Sequence, residues 1–148
     1  MKLKEEEKTI LFYKTKMVFK VTLSQTNNQY SIILMTHPAL VGPALHVHPH
    51  GPETFFIIEG NYTFTLDNNT IEASKGDFIY IPQNTPHKYK SGMNGGQVLI
   101  TTPPNIETYF LHIANKLAEG KVSLEYEFEF AKNHGQLFLD SNEHWGNK

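Results

Sequence analysis

Apolar and polar positions alternate in short runs along most of the first hundred residues. Met17 to Leu23 is rich in apolar and β-branched residues and leads through Ser24-Gln25-Thr26-Asn27-Asn28 into Tyr30 to Met35, the pattern of a hairpin. Thr54 to Ile58 is a nearly continuous apolar run that stops at Glu59-Gly60. Asn61 to Leu66 then alternates with period two, as a half-buried strand does. Asp67-Asn68-Asn69 and Lys75-Gly76-Asp77 supply turns, the second ahead of Phe78 to Ile81, and further runs follow at His87 to Lys90 and Gln97 to Thr102. Many short strands with no helix between them predict an all-β sandwich or barrel over about residues 10–102.

The texture changes after Pro103-Pro104. Asn105 is placed to cap a helix carrying Ile106, Tyr109, Phe110, Ile113 and Leu117 at helical spacing, with Gly120 as its stop. Residues 124–130 read two ways. Strict alternation favours a strand, whereas Ser123 as cap, acidic residues in the first turn and Gly135 as terminator favour a helix; the balance is toward helix. The expected organisation is one domain across 1–148, with a helical tail at about 105–135. Glu5-Glu6-Glu7 reads as a solvated end.

Composition narrows the chemistry. The chain has 148 residues, enough for a single hydrophobic core, and 39% of them are hydrophobic. A formal charge of −2 gives no reason to expect nucleic acid or an anionic membrane as partner. Cysteine is absent, which excludes disulfides, thiolate metal sites and cysteine nucleophiles. Arginine is absent too, so the 13 cations are all lysines and no planar bidentate clamp for carboxylate or phosphate can form. The charged start MKLKEEEKT lacks an apolar leader, and no stretch reaches the roughly 18 apolar residues of a membrane span. A cytoplasmic protein is the expectation.

The candidate chemistry lies in His46-Val47-His48-Pro49-His50-Gly51-Pro52-Glu53. Residues two apart on a strand point the same way, so His46 and His48 share a face, and the Pro/Gly turn can bring Glu53 back beside them. His87, delivered by the turn Pro82 to Pro86, is placed to complete the cluster from an opposing strand. Imidazoles plus a carboxylate suit Fe, Mn, Ni, Co, Cu or Zn, and four protein ligands on a six-coordinate ion leave two positions open. His50 falls where the chain is already turning and reads as a loop residue. His37, His112, His134 and His144 read as structural or exposed.

The two halves of this pattern resemble the paired motifs of the cupins, G-x5-H-x-H-x3-4-E-x6-G and G-x5-P-x-G-x2-H-x3-N. Here they run through His46, His48, Glu53 and Gly60, and through Gly76, Pro82 and His87. The sequence departs at Leu40 for the first Gly (Gly42 is nearby), at Asn84 for the Gly after Pro82, and at Ser91 for the final Asn. The resemblance implies a cupin jelly-roll barrel over about residues 17–102 with His46, His48, Glu53 and His87 as ligands of one divalent transition-metal ion. The layout, including Gly76-Asp77-Phe78-x2-Ile81-Pro82-x3-Pro86-His87 and the helical tail, is also similar to small quercetin 2,3-dioxygenase-like cupins. Pairing of cupins further implies a homodimer, to which the strand at Met17 to Leu23 would contribute.

With Glu53 facing inward, alternation places Phe55 and Ile57 on the same face, and Tyr89 accompanies His87. Tyr62, Phe64, Phe78 and Tyr80 are further candidates to line an aromatic cavity suited to a flat organic substrate. The leading functional expectation is a dioxygenase acting on an enolisable or phenolic small molecule. Glu53 would double as general base, provided its pKa sits near the working pH. A metal-dependent isomerase or lyase, in which Lys88 or Lys90 assists an anionic substrate, and a non-catalytic small-ligand module are the alternatives.

Overall fold

Strands β1 (Lys8–Phe12) and β2 (Thr15–Val21) form an antiparallel hairpin at the start of the computed structural model, which describes residues 7–146. They are followed by β3 (Ser31–His37), β4 (His46–Val47), β5 (Glu53–Leu66), β6 (Asn69–Ser74), β7 (Phe78–Ile81) and β8 (His87–Thr102). Helices α1 (Ile106–Glu119) and α2 (Leu124–Lys132) come next, and a two-residue strand, β9 (Leu137–Phe138), closes the order. This is the expected all-β jelly roll with a short helical tail. No helix among the described residues is long and apolar enough to cross a membrane.

Two long strands organise the sheets. The runs at residues 54–58 and 61–66 are one strand, β5, and those at 87–90 and 97–102 are one strand, β8. Sequence periodicity separates them because both strands bend, with register slips between Ile57 and Glu59 and between Gly60 and Tyr62. On one side of the bend Thr54 to Ile57 pair with Val98 to Thr101; on the other Tyr62 to Leu66 pair with His87 to Ser91. The first lengths belong to a layer ordered β1-β2-β3-β8-β5-β7, and the second to a layer ordered β9-β4-β8-β5-β6. Gly60 opposes Gly96 at the corner, with φ 87° at Gly60; a Cβ there would lie 2.4 Å from the Gly95 carbonyl oxygen. Only glycine fits that crossing.

Three motif departures acquire physical reasons. Leu40 and Asn84 both adopt left-handed backbone, φ 58° and 66°, the conformation that favours glycine at those points. Ser91 ties down the loop before β4, accepting from the Val41 N–H at 3.0 Å and donating to the Pro38 carbonyl at 2.7 Å. In the tail, residues 124–130 are helical. Ser123 Oγ accepts from the Tyr126 N–H at 3.1 Å, and Glu127 and Ala131 form the buried stripe that alternation conceals. Asn105 occupies the cap position of α1, but through a left-handed backbone (φ 75°) with no side-chain bond to the helix. The connection from β2 to β3 is longer than a tight turn, with a 3-10 turn at Leu23–Thr26.

Between the layers Phe12, Met17, Phe19, Ile33, Met35, Phe55, Ile57, Phe64, Val98 and Ile100 are each at most 1% exposed. Each such side chain contributes roughly 1.5–3 kcal/mol by leaving water. One polar chain threads this core. His37 is 3% exposed, bonded through Nδ1 to the Tyr62 hydroxyl at 2.8 Å and through Nε2 to the Tyr89 hydroxyl at 2.9 Å. Trp145 stacks parallel to it at 6.0 Å between centroids. Burial lowers the His37 pKa to about 3, so the ring is neutral when folded.

Two outcomes test this description. Gly60→Ala places a methyl group against the Gly95 carbonyl and is expected to cost on the order of 1–3 kcal/mol, read by urea denaturation. The unfolded chain protonates His37 near pH 6.5 while the folded chain does not until about pH 3, so stability is full above 6.5 and falls as the pH drops. His37 alone gives a slope of about 1.4 kcal/mol per pH unit in that window. Denaturation at pH 6.5, 5.5 and 4.5 is expected to show a shallower slope in His37→Gln; an unchanged slope would contradict a buried neutral imidazole.

Candidate metal centre

His46, His48, Glu53 and His87 meet where the bent β5–β8 ribbon brings its two ends together. His46 lies on β4 directly opposite His87, the first residue of β8. His48 follows β4 where the chain turns, and Glu53 opens β5 opposite Ile81. The ligand atoms of the four residues lie within 4.8 Å of one another, and all four side chains are buried. The ring centroids of His46 and His87 are 4.2 Å apart, and those of His48 and His87 are 5.1 Å apart.

Hydrogen bonding sets the orientation of each ring. A carbonyl oxygen can only accept, so Nδ1–H donates from His46 to Ala44 at 2.8 Å, from His87 to Thr85 at 2.8 Å and from His48 to Gly135 at 3.4 Å. The rings therefore turn their Nε2 atoms inward. There the Glu53 Oε1 lies 3.1 Å from His87 Nε2 and 3.3 Å from His48 Nε2, and His48 Nε2 has no hydrogen-bond partner. With Nδ1 carrying the proton, each Nε2 offers a lone pair beside the carboxylate, a set that a shared cation would complete. The donor set and its carbonyl anchors thus fit a divalent transition metal.

Electrostatics points the same way. Burial, reinforced by the charges of His87 and His48, pushes the His46 pKa well below the ordinary histidine value, leaving the imidazole in its ligating form. Burial opposes ionisation of Glu53, but the adjacent His48 and His87, which attract the carboxylate when protonated, hold its carboxyl well below the usual carboxylate range. Between those rings Glu53 is held in its anionic, ligating form.

The neighbourhood differs from the expected open cavity. Phe55, Ile57, Tyr62, Phe64 and Tyr89 all face inward as alternation requires, but side chains fill the interior. The gap beside His46 and Glu53 measures about 10 Å³, room for roughly one water molecule. Phe55 and Tyr89 line it, together with Met35, Pro43, Ile100, Phe110, Gln136 and Trp145, whereas Ile57, Tyr62 and Phe64 pack in the core away from it. Phe78 and Tyr80 point outward, 62% and 56% exposed, because their alternation on β7 is opposite to that expected. Lys88 and Lys90 also lie outside, on the face opposite His87 and Tyr89, and Lys90 pairs with Glu143 at 3.0 Å. His50 is an exposed turn residue. Gln136 and Trp145 carry no local motif and reach the site only through long-range folding of the tail.

Comparison with known proteins agrees with this geometry. A cupin domain is matched over residues 34–101. An uncharacterized protein of Methanocaldococcus jannaschii is 49% identical over 47 residues, covering 32% of this chain and 38% of that protein. The quercetin 2,3-dioxygenase of Bacillus subtilis is 25% identical over 105 residues, 70% of this chain and 31% of the enzyme. The matches thus span about a third of the length of these curated relatives. Among solved structures, an RmlC-like cupin from Shewanella frigidimarina superposes with a TM-score of 0.62 at 15% identity, over 74% of this chain and 94% of that one. With its jelly roll, its cupin domain matched over residues 34–101 and its buried His/Glu cluster, the chain resembles the small cupins, the quercetin 2,3-dioxygenase-like proteins among them.

Proposed function

We propose that the chain is a metal-dependent oxygenase acting on a small enolisable or phenolic compound, with His46, His48, Glu53 and His87 as the metal ligands. The observation that carries the reading is the set of three imidazoles, each anchored by Nδ1 on a backbone carbonyl, whose bare Nε2 atoms converge with one carboxylate. The similarity to quercetin 2,3-dioxygenase supports the substrate class.

A divalent ion bound there supplies Lewis acidity, lowering the pKa of an enol or phenol oxygen brought next to it. The protein's own contributions are orientation and exclusion of water. Phe55, Ile100, Phe110 and Trp145 present apolar surface to the gap, which strengthens polar interactions inside it. Tyr89 is held by His37 in the same wall, with burial keeping its hydroxyl protonated. A gap of about 10 Å³ admits no aromatic ring, so a ring-sized substrate requires the side chains that line it to rearrange. Glu53 serves first as ligand; it becomes a base only on leaving the histidines that hold its pKa down.

Two measurements test this reading. Metal analysis of protein purified without chelator is expected to find about one transition-metal ion per chain in wild type and at least tenfold less in His46→Ala and His87→Ala; full retention in both variants would refute the ligand assignment. Protein reconstituted with Fe, Mn, Co or Ni is expected to consume oxygen with flavonols or smaller enolisable substrates. Turnover that persists with Zn under anaerobic conditions would instead identify a non-redox isomerase or lyase.

A further inference from the structure

A second buried polar cluster lies behind the metal centre. Glu127 on α2 is 0% exposed and accepts hydrogen bonds from the Tyr13 hydroxyl, from the Tyr109 hydroxyl at 2.5 Å and from His144 Nε2 at 2.7 Å. His144 is also 0% exposed, and its other nitrogen, Nδ1, accepts the Ala44 N–H at 3.1 Å. A ring nitrogen that accepts carries no proton, so His144 is a neutral imidazole donating Nε2–H to the carboxylate. Burial, with the charge of Glu127 second, raises the pKa of both Tyr13 and Tyr109, which therefore remain donors. Both oxygens of the Glu127 carboxyl group are thus taken by three donors, none of which brings a positive charge.

Ala44 joins this cluster to the first ligand. Its N–H is taken by His144 and its carbonyl accepts Nδ1–H of His46 at 2.8 Å. Phe138 bridges the same two rings, edge-on to His144 at 4.8 Å and 5.5 Å from His46 between centroids. Phe128, stacked on Phe138 at 4.1 Å, also meets His144 perpendicularly at 5.0 Å, so the imidazole packs against a pair of phenyl rings. A hydrogen-bonded path therefore runs from Glu127 through His144 and the Ala44 backbone to His46.

We propose that Glu127 and His144 are positioning residues for the metal centre: they hold the Ala44 backbone that orients His46, and the buried carboxylate balances the charge of the bound ion. This inference rests on the metal reading above. Three neutral imidazoles and one carboxylate leave a divalent ion with one uncompensated positive charge inside the protein, and Glu127 supplies the matching negative charge in low dielectric. In the absence of an ion the same carboxylate is an uncompensated buried anion, so the two charges favour each other.

The test compares Glu127→Gln, which keeps the shape and removes the charge, with Tyr109→Phe, which removes one donor and keeps the charge. Zn²⁺ affinity is measured by competition with a chromophoric chelator, and the visible absorption of the Co²⁺-loaded protein reports ligand geometry. Glu127→Gln is expected to weaken Zn²⁺ binding about 10–100-fold and to shift the Co²⁺ bands, whereas Tyr109→Phe lowers the melting temperature with affinity within a few-fold of wild type. Unchanged affinity and spectrum in Glu127→Gln overturn the proposal, as does an equal loss in Tyr109→Phe, which marks a purely structural role. Should Glu127→Gln not fold, His144→Gln reads the same path, and wild-type affinity and Co²⁺ spectrum there overturn it. Failure of wild type to bind Zn²⁺ or Co²⁺ refutes the underlying metal reading instead.

Discussion

The structure depends on the pairing of β5 with β8 through a shared bend. Each strand spends half its length in one layer and half in the other, so a single ribbon of hydrogen bonds joins both sheets. The bend is possible because Gly60 and Gly96 oppose each other where any side chain would collide with backbone or with the Tyr62 ring. Beyond it, β8 begins at His87 and pairs with β4 at His46, which sets two ligands face to face before any ion is involved. Glu53 starts the other limb of the same ribbon. The ligand geometry is thus a property of strand register, and a one-residue slip would turn His87 to the solvent face.

The second constraint is chemical. Each ligating ring is oriented by a backbone carbonyl, and carbonyls in this part of the chain belong to turns whose positions the sheets dictate. The result is a cluster organised to present lone pairs rather than protons. The surrounding wall is apolar, and the gap it leaves is small.

Much of this was legible in the chain. Period-two runs and Asn/Asp/Gly turns indicated the strands, and His46, His48 and Glu53 stood out because strand parity and a short turn force them together. His87 needed the second half-motif, since no local feature says which distant strand lies opposite. The bends of β5 and β8 were hidden, as an interrupted alternation looks the same whether the strand ends or turns a corner. On β7 an alternation of four apolar residues carries no sign of which pair faces in, and Phe78 and Tyr80, candidates for the lining, face outward. Glu127 was the least visible. It sits among Glu125 and Glu129 as one acidic residue of three, and only the helical stripe it shares with Ala131 distinguishes it.

The C-terminal segment is stitched to the strand that bears the first ligands. β9 pairs with β4, the Leu139 N–H reaches the Leu45 carbonyl at 2.8 Å, and the Trp145 N–H reaches the Gly42 carbonyl at 2.7 Å. Gly135, which supplies the carbonyl for His48, follows that histidine by 87 positions. Enclosure of the cluster therefore depends on contacts between positions far apart in the chain, and loosening residues 135–145 would uncover His46 and His48 without disturbing the β5–β8 ribbon.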